Sequence, residues 1–403
     1  MSKNNKLIPE LRFPEFVNEG KWKEISIETI GDVVTGGTPS KEKSEYWGGD
    51  FVWVTAQDFK EKYIYNSVLK LTDKGKEKSR VIPKNSVLVT CIASIGLNGI
   101  NKVECATNQQ INSIVCNASN HYEFVYYAIS RNITRLKNLA GQTAVPIISK
   151  SVFEKFTIQK PNLSIEQQKI AACLSSLDEV IEAHNQKLEL LKAHKKGLMQ
   201  NLFPQEGEKV PKLRFKEFKG EWENLNLSKV SDVIMGSSPS SASYNEDKIG
   251  LPLLQGNTDI KNRLSAPRIY TTEITKECEV GDILLSVRAP VGTVAKSLHN
   301  ACIGRGMSAI RAKKTNSQEY LYQWLFSYES SWEKISQGGT FDAVNSDDIR
   351  NLLVPMPKPT EQQKIASCLS ALDELITVQA EKIEQLKQHK KGLMQGLFPK
   401  MND

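Results

Sequence analysis

The chain repeats itself, and the repeat spans about half its length. Residues 166–204 and 361–399 are identical at 27 of 39 aligned positions. The octapeptide Pro-Glu-Leu-Arg-Phe-Pro-Glu-Phe, which begins at Pro9, returns at Pro211 as Pro-Lys-Leu-Arg-Phe-Lys-Glu-Phe. The stretches between these repeated segments are much less alike. A duplicated unit with matching ends and divergent middles predicts that the ends share one role and that the middles have different roles.

The two most similar segments carry apolar residues at alternating intervals of three and four, which is typical of the seam of a coiled coil. At 1.5 Å per residue, a helix of about 38 residues is about 57 Å long. Each helix is predicted to begin with a capping box, Ser164 with Gln167 and Thr360 with Gln363, and to end at Leu-Phe-Pro because proline cannot continue a helix. The predicted seam consists of Leu174, Leu177, Ile181, His184, Leu188 and Leu191 in the first copy, and of Leu369, Leu372, Ile376, Gln379, Ile383 and Leu386 in the second.

Two such seams in one chain are expected to pack on each other. Parallel packing remains open, but an antiparallel pair places the two intervening segments at opposite ends and produces a pseudo-twofold internal repeat. His184 and Gln379 interrupt the seam with polar side chains. We interpret them as residues that specify the register of the pair, in preference to a ligand-binding role.

The divergent segments combine strand and helix patterns. Residues 52–55, 86–90 and 282–287 are predicted as strands, and residues 122–139 and 317–335 as helices. The predicted fold class is therefore α+β, with two globular α/β domains separated by two long helices that form an antiparallel coiled coil. The predicted boundaries are 1–163 for the first domain, 164–203 for the central helix, 204–359 for a linker and the second domain, and 360–399 for the last helix.

Motifs of common enzymes are missing from the sequence. It contains neither the phosphate-binding Gly-x-x-x-x-Gly-Lys-Ser/Thr loop nor a Gly-x-Gly-x-x-Gly segment, and no His-Glu-x-x-His or clustered Cys/His pattern for zinc. We therefore expect neither a catalytic site nor a metal site on this chain. The seven cysteines include no Cys-x-x-Cys pair, no signal peptide is visible, and the longest apolar stretch, 87–100, is too short to span a bilayer. These features predict a cytoplasmic protein with no membrane partner.

The positive charge of the chain lies mainly in its divergent segments. Residues 1–163 carry 22 Lys and Arg against 16 Asp and Glu, and residues 211–359 carry 19 against 17, within a net charge of +7. Such an excess weakly favours nucleic acid as a partner.

The repeated motifs together resemble the specificity subunit of a type I restriction-modification enzyme. The resemblance extends from Pro9 to Pro399 and rests on the Leu-Arg-Phe-x-x-Phe…Trp openings, the Gly-Gly-Thr-Pro-Ser loop at 36–40 and the Glu-Gln-Gln-Lys-Ile-Ala helix starts. The loop returns at 236–240 as Gly-Ser-Ser-Pro-Ser, a departure that leaves any shared backbone contact of that loop open.

This resemblance implies that each divergent segment is a target-recognition domain for one half of a bipartite, asymmetric site in double-stranded DNA, and that the helix pair sets the spacing of the halves. It also implies two modification subunits and two restriction subunits as partners. These partners would bind S-adenosylmethionine, ATP and Mg²⁺ and carry out adenine methylation and cleavage, so no cofactor is expected on this chain.

DNA contact requires Lys, Arg or backbone amides at phosphates, and Arg, Asn or Gln at base edges. We expect the basic residues between Lys70 and Arg80 to form a loop, residues 35–40 and 237–240 to offer backbone amides, and the amide side chains at 108–112 to suit adenine. The alternatives are solvent exposure without function for the lysines and strand-end capping for Asn108 and Gln109. The candidates are Thr35, Gly37, Thr38, Ser40, Lys74, Lys76, Lys78, Arg80, Asn108 and Gln109 in the first domain, and Ser238, Ser240, Arg263, Arg268, Arg288 and Arg305 in the second.

Two other classes of protein compete with a DNA specificity subunit. One is a stand-alone DNA-modifying enzyme, which the missing motifs disfavour. The other is a coiled-coil scaffold with no role on DNA, which the heptads permit but which leaves the divergent middles unexplained.

Overall fold

Each half of the repeat is assembled from separate parts of the chain. In the computed structural model, which describes residues 7–141, 145–336 and 344–400, the chain divides into two units. The first comprises Met1–Ala183 and Ile383–Asp403, and the second comprises His184–Lys382. The boundary falls within both long helices, so each unit contains a sheet-rich domain and a segment of each helix. The predicted α+β fold class is confirmed.

In the described residues of the first domain there are ten strands and six α-helices, counting the long helix that leaves the domain. The helices are α1 (Ile27–Ile30), α2 (Asp73–Glu77), α3 (Tyr122–Arg131), α4 (Ile133–Asn138), α5 (Lys150–Lys155) and the long α6 (Ser164–Leu202). The strands are β1 (Lys23–Ser26), β2 (Gly31–Thr35), β3 (Trp47–Val54), β4 (Tyr63–Ile64), β5 (Leu69–Leu71), β6 (Val87–Thr90), β7 (Asn98–Asn101), β8 (Ala106–Thr107), β9 (Ile111–Cys116) and β10 (Thr157–Lys160).

A five-stranded sheet in the order β2-β9-β6-β7-β4 organises this domain. Thr35 at the end of β2 pairs with Asn112 near the start of β9, and Thr90 at the end of β6 pairs with Ile111. Because these neighbours are antiparallel, the loops after β2 and β6 and the loop before β9 meet at one edge. A three-stranded sheet, β5-β3-β8, and a pair, β1-β10, complete the domain.

The second domain repeats this plan. Its strands are β11 (Glu223–Asn226), β12 (Ser231–Met235), β13 (Tyr244–Asn245), β14 (Leu251–Leu254), β15 (Ile260–Lys261), β16 (Leu264–Ser265), β17 (Ile269–Thr271), β18 (Glu277–Cys278), β19 (Ile283–Ser286), β20 (Val294–Lys296), β21 (Ala301–Ile303), β22 (Met307–Ala312) and β23 (Leu353–Met356). Its helices are α7 (Leu227–Val230), α8 (Gln318–Ser336), α9 (Ser346–Arg350) and the long α10 (Pro359–Leu397). The main sheet has the order β12-β22-β19-β20-β16-β15, and a second sheet has the order β13-β17-β14-β21-β18.

The repeated sequence motifs join each domain to its long helix. The guanidinium of Arg12 forms two hydrogen bonds of 2.8 Å with the Glu166 carboxylate, and Arg214 forms the same pair with Glu361 at 2.8 and 2.9 Å. Both glutamates are almost fully buried. The Leu-Arg-Phe and Glu-Gln-Gln motifs are thus two halves of one buried ion pair, which explains why they recur together.

The predicted capping boxes do not form. The first helix already includes Ser164, and the Gln167 side chain accepts a hydrogen bond from the backbone N–H of His121 at 3.0 Å. The second helix begins at Pro359, and the Gln363 amide donates to Ser367 within the helix. A tertiary contact outcompetes the local cap because it satisfies a backbone donor at the start of α3.

The other local predictions are mostly confirmed. Residues 52–54, 87–90 and 283–286 lie in β3, β6 and β19. The helix predicted over 122–139 is interrupted at Asn132, which separates α3 from α4. The predicted basic loop at 70–80 is only partly a loop: Lys70 lies in β5, and the short helix α2 follows, with its first turn capped by the Thr72 hydroxyl.

Within each unit the two long helices run antiparallel. In the second unit, His184 contacts Gln379 and Lys195 contacts Asp373, so one helix advances as the other returns. In the first unit, Leu174 shares a buried cluster with Leu397 and Phe398. The ends of the predicted seams are therefore covered by the domain cores.

Candidate nucleic-acid interface

Three loops form one edge of the main sheet in the first domain. They are the loop after β2 (36–40), the loop before β9 (108–110) and the hairpin between β6 and β7 (91–97). The backbone N–H of Cys91 donates to Gln110 O at 2.7 Å, which holds the hairpin against the second loop. This arrangement, which we call the first loop edge, brings residues that are far apart in sequence onto one surface.

The glycine loop is attached to this edge through its backbone. Gly36 N–H donates to Ile111 O at 3.0 Å, and Gly37 N–H donates to Thr107 O at 2.8 Å. A Cβ on Gly36 would lie 2.2 Å from the carbonyl oxygen of Asn108, so the close approach requires glycine. The expectation that these amides serve phosphate is wrong for Gly36 and Gly37, because both donors are used within the fold.

Polar side chains cover the first loop edge. The Thr38 hydroxyl donates to Gln109 Oε1 at 2.6 Å, and both residues are exposed. Arg80 donates to Thr35 O at 2.6 Å, which fixes its guanidinium on the same surface. Asn108 is engaged locally, since its Nδ2 donates to Gln110 Oε1 at 2.9 Å. Strand-end capping therefore accounts for Asn108 but leaves Gln109 facing solvent.

The lysines of α2 belong to a different surface. Lys74 pairs with Glu45 at 2.8 Å and Lys76 pairs with Glu104 at 2.7 Å, while Lys78 is exposed after the helix. The charges of the first two are balanced by carboxylates from neighbouring segments. They would contribute to a phosphate contact only by exchanging those partners.

The second domain builds a corresponding edge, the second loop edge, from the loop after β12 (236–240), the loop before β22 (304–306) and the hairpin between β19 and β20 (287–293). Arg305 N–H donates to Ser238 Oγ at 3.1 Å, and Val287 N–H donates to Gly306 O at 2.9 Å. Arg288 lies exposed on the hairpin. Ser240 N–H is used by Glu273 at 2.9 Å. Two predicted arginines are therefore brought together with the serine loop.

The other two predicted arginines are held by carboxylates. Arg263 forms a two-pronged pair with Glu329 on α8, and its guanidinium lies 4.7 Å from the Phe326 ring centroid. Arg268 pairs with the buried Asp259 at 3.2 Å. Arg263 also donates to Val294 O at 3.2 Å, so it fastens the start of β20 to α8.

Sequence reasoning missed polar residues that also lie at the second loop edge. Gln255 Nε2 donates to Tyr244 OH at 3.0 Å, and Asn257 Nδ2 donates to Pro290 O at 2.7 Å. The repeat of the glycine loops gives no signal for them, because Gln255 and Asn257 lie outside that motif, after β14.

Each domain is also fastened to a long helix by a buried polar cluster. In the first unit, Lys62 Nζ donates to Ser175 Oγ at 2.6 Å, and Ser175 donates to Glu123 at 2.8 Å. Tyr127 OH donates to Asp178 at 2.5 Å, and Asp178 also pairs with Lys390 from α10. These residues form the first junction.

Burial shapes the ionisation of the first junction. Burial lowers the pKa of Lys62, although Glu123 opposes this effect. Burial would raise the pKa of Glu123, but hydrogen bonds from Tyr63 and Ser175 and the charge of Lys62 together hold it below its ordinary value. The carboxylate is thus a stabilised anion inside the junction.

The second junction has the same design with different partners. Lys296 donates to Glu319 at 2.5 Å, Ser370 donates to Glu319 at 2.8 Å, and Gln323 donates to Asp373 at 2.7 Å. Burial would raise the pKa of Glu319, but the hydrogen bonds from Lys296, Gln323 and Ser370 lower it. Burial also lowers the pKa of Lys195, which donates to Asp373.

The seam of the helix pair contains the polar contact that the sequence suggested. Gln379 Nε2 lies 2.8 Å from His184 Nδ1 and donates to His184 O at 2.7 Å. Gln379 is 6% exposed, so the contact is largely removed from water. Of the other predicted seam residues, Leu174, Ile181, Leu369 and Ile383 are buried, whereas Leu177, Leu188, Leu191, Leu372, Ile376 and Leu386 are half-buried.

Two further observations concern other kinds of site. Across residues 7–141, 145–336 and 344–400, no group of three His, Cys, Asp or Glu side chains is arranged to hold a metal ion. In the same ranges, no helix combines the length and apolar character needed to cross a bilayer.

Comparison with known protein families gives one result along most of the chain. The family described as "Type I restriction modification DNA specificity domain" matches residues 19–193 and again residues 219–388. The two matches cover the two domains and most of each long helix.

Individual relatives agree with this match. The MjaIX specificity subunit of a type I restriction enzyme from Methanocaldococcus jannaschii is 26% identical, over 94% of this chain and 92% of its own length. The MjaX specificity subunit from the same organism is 35% identical, but there the chain spans only 60% of the relative's length. The solved S subunit of a type I restriction-modification system from M. genitalium is 17% identical with a TM-score of 0.65, covering 98% of this chain and 100% of that one, which indicates the same fold.

Proposed function

Because the chain belongs to the family of type I restriction-modification DNA specificity proteins, we propose that it selects the DNA site for a restriction-modification complex. Each domain recognises one half of a bipartite, asymmetric site through its loop edge. The chain binds and positions, while partner subunits carry out the chemistry.

The observation that carries this proposal is the pair of loop edges. The same backbone framework supports Thr38 and Gln109 in one domain and Ser238 and Arg305 in the other. Side-chain amide and guanidinium groups recognise base edges through bidentate hydrogen bonds. A conserved framework that presents different polar groups is what independent recognition of two different half-sites requires.

The helix pair supports a role in spacing. Both long helices have 39 residues, and the Gln379–His184 contact fixes their register in the second unit. A shift of one helical turn would separate this pair and expose the buried amide, which costs free energy. A helix pair with one register suits a fixed number of unread base pairs between half-sites.

Partner subunits complete the proposed activity. Two modification subunits would bind S-adenosylmethionine and methylate adenine, and two restriction subunits would use ATP and Mg²⁺ for translocation and cleavage. Exposed apolar residues on the long helices, Ile165, Val180, Leu190, Leu375 and Val378, suit such protein contacts.

The two competing classes have less support. A stand-alone DNA enzyme would need catalytic groups, and the buried charged clusters described above are explained by domain attachment. A scaffold without a DNA role would not need a matched pair of exposed polar loop edges.

An exchange of one domain tests the proposal. Residues 17–163 are replaced by those of a relative with a known different site, and the methylated motifs of a host that supplies the partner subunits are sequenced. One half of the methylated motif should change while the other half and the spacing persist. A change in both halves, or in neither, would contradict independent recognition.

A further inference from the structure

The duplicated framework makes Gln109 and Arg305 structurally equivalent, although nothing in their local sequences aligns them. Gly37 N–H donates to Thr107 O at 2.8 Å, as Ser237 N–H donates to Ile303 O at 2.9 Å. Gly36 N–H donates to Ile111 O, as Gly236 N–H donates to Met307 O. Since residues 107 and 303 correspond, and 111 and 307 correspond, position 109 of the first domain corresponds to position 305 of the second.

A hydroxyl from the glycine loop fixes both positions. Thr38 Oγ1 donates to Gln109 Oε1 at 2.6 Å, and Ser238 Oγ accepts from Arg305 N–H at 3.1 Å. Thr38 and Ser238 lie at matching positions of the two loops. Ser238 thus holds the backbone of Arg305, whereas Thr38 orients the side chain of Gln109, whose Oε1 keeps a second lone pair and whose Nε2 keeps its donors.

Glycines set the backbone path around Arg305. A Cβ on Gly306 would lie 2.1 Å from Gln255 O, and one on Gly304 would lie 3.2 Å from Ser238 Oγ. The loop is thus packed on both sides, and the arginine is the only side chain that its tip presents. Such packing reduces the entropy lost when the side chain binds a ligand.

The Arg305 guanidinium has all its donors available. Within the described part of the chain it forms no hydrogen bond or ion pair, whereas Arg263, Arg268 and Arg311 are all paired with carboxylates. An unpaired guanidinium on an ordered, exposed loop is suited to an acceptor pair on a ligand.

We propose that Gln109 and Arg305 each recognise one base at corresponding positions of the two half-sites, Gln109 an adenine and Arg305 a guanine. Arginine donates to the O6 and N7 acceptors of guanine, and glutamine pairs with the N6 donor and N7 acceptor of adenine. This inference rests on the proposed function. It adds which residue of each domain selects a base and which base that residue selects.

Reciprocal substitutions test the inference in the complete complex. Arg305→Gln should change the requirement for guanine at one position to adenine or relax it. Gln109→Arg should change the requirement for adenine at the corresponding position of the other half-site to guanine. Each variant should lose its preference for the original base pair by roughly 5- to 150-fold relative to the wild type, measured as methylation of matched DNA duplexes that differ at that base pair.

Matched controls separate base recognition from charge. Lys314→Gln removes an exposed charge and Ala118→Arg adds one. Lys314 and Ala118 lie just after the ends of β22 and β9, whereas Arg305 and Gln109 lie just before the starts of the same two strands. Both controls should leave the methylated motif unchanged.

The outcomes are distinct. If the wild-type complex methylates no motif that depends on this chain, the proposed function itself fails. If it does so and both substitutions leave the motif unaltered, or weaken all sequences equally, the base assignment is overturned. Loss of all methylation in both substitutions, with the controls active, would also overturn it, because exposed loop-tip side chains are not needed for folding.

Discussion

Lys195 Nζ donates a hydrogen bond of 2.6 Å to Asp373 Oδ1. The counterparts of these two residues in the sequence repeat, Lys390 and Asp178, form the same contact in the other unit. The lysine of one long helix thus pairs with the aspartate of the other at each junction. In both junctions the aspartate also accepts from a domain side chain, Tyr127 or Gln323. The contact therefore ties three elements together.

Removing the two members of this pair should have unequal effects. Lys195 is 6% exposed and Asp373 is 41% exposed. Asp373→Leu leaves a buried ammonium without its partner, so we expect a loss of about 2–3 kcal/mol in the free energy of unfolding. Lys195→Met leaves an aspartate that still accepts from Gln323, and we expect about 1 kcal/mol. Urea denaturation of the full chain measures both, and equal losses would contradict the asymmetry.

The polar contact in the seam should respond to paired replacement. Gln379→Leu leaves His184 Nδ1 without its neighbour and should reduce the stability of the chain by about 1 kcal/mol. Leucine at both positions restores an apolar layer and should recover that loss. Thermal unfolding of the single and double variants checks this expectation. A double variant that is less stable than the single one would show that the contact is not a local pair.

The pH dependence of stability should reflect Glu123 and Glu319. The pKa of each is lower in the folded chain than the ordinary value of 4.5, so the unfolded chain binds protons first as the pH falls. The stabilisation is fully present above pH 4.5 and is lost as the pH falls through the lowered folded values.

Glutamine substitution checks this assignment. Glu123→Gln and Glu319→Gln should each cost about 1.5–3 kcal/mol at neutral pH and flatten the decline below pH 4.5. Unfolding free energies measured from pH 3 to 7 provide the comparison, with Glu28→Gln as an exposed control. Variants with an unchanged acid slope would assign the decline to other carboxylates.

The length of the helix pair should set the unread spacing. Insertion of four residues between Leu177 and Leu191, roughly one helical turn, should change the number of unread base pairs and leave both half-sites intact. Sequencing of the methylated motifs measures both quantities. A changed base preference at constant spacing would refute this role.

The sequence determined the parts of the fold that depend on short-range pattern. The internal repeat and heptads predict two matched long helices, and the alternating apolar segments predict strands such as β6 and β19 because periodicity records which face is buried. The capping boxes failed because Gln167 satisfies a distant backbone donor instead.

Only the tertiary structure decided which of the candidate polar side chains are exposed and which are paired within the fold. Arg263 and Arg305 are both candidates in the sequence, but a carboxylate on α8 engages the guanidinium of the first, and nothing within the described residues engages the guanidinium of the second. The equivalence of Gln109 and Arg305 likewise depends on backbone hydrogen bonds between segments about 70 residues apart. Ion pairs and loop contacts form between residues distant in the chain, so their partners are determined by sheet pairing and packing, which no local pattern records.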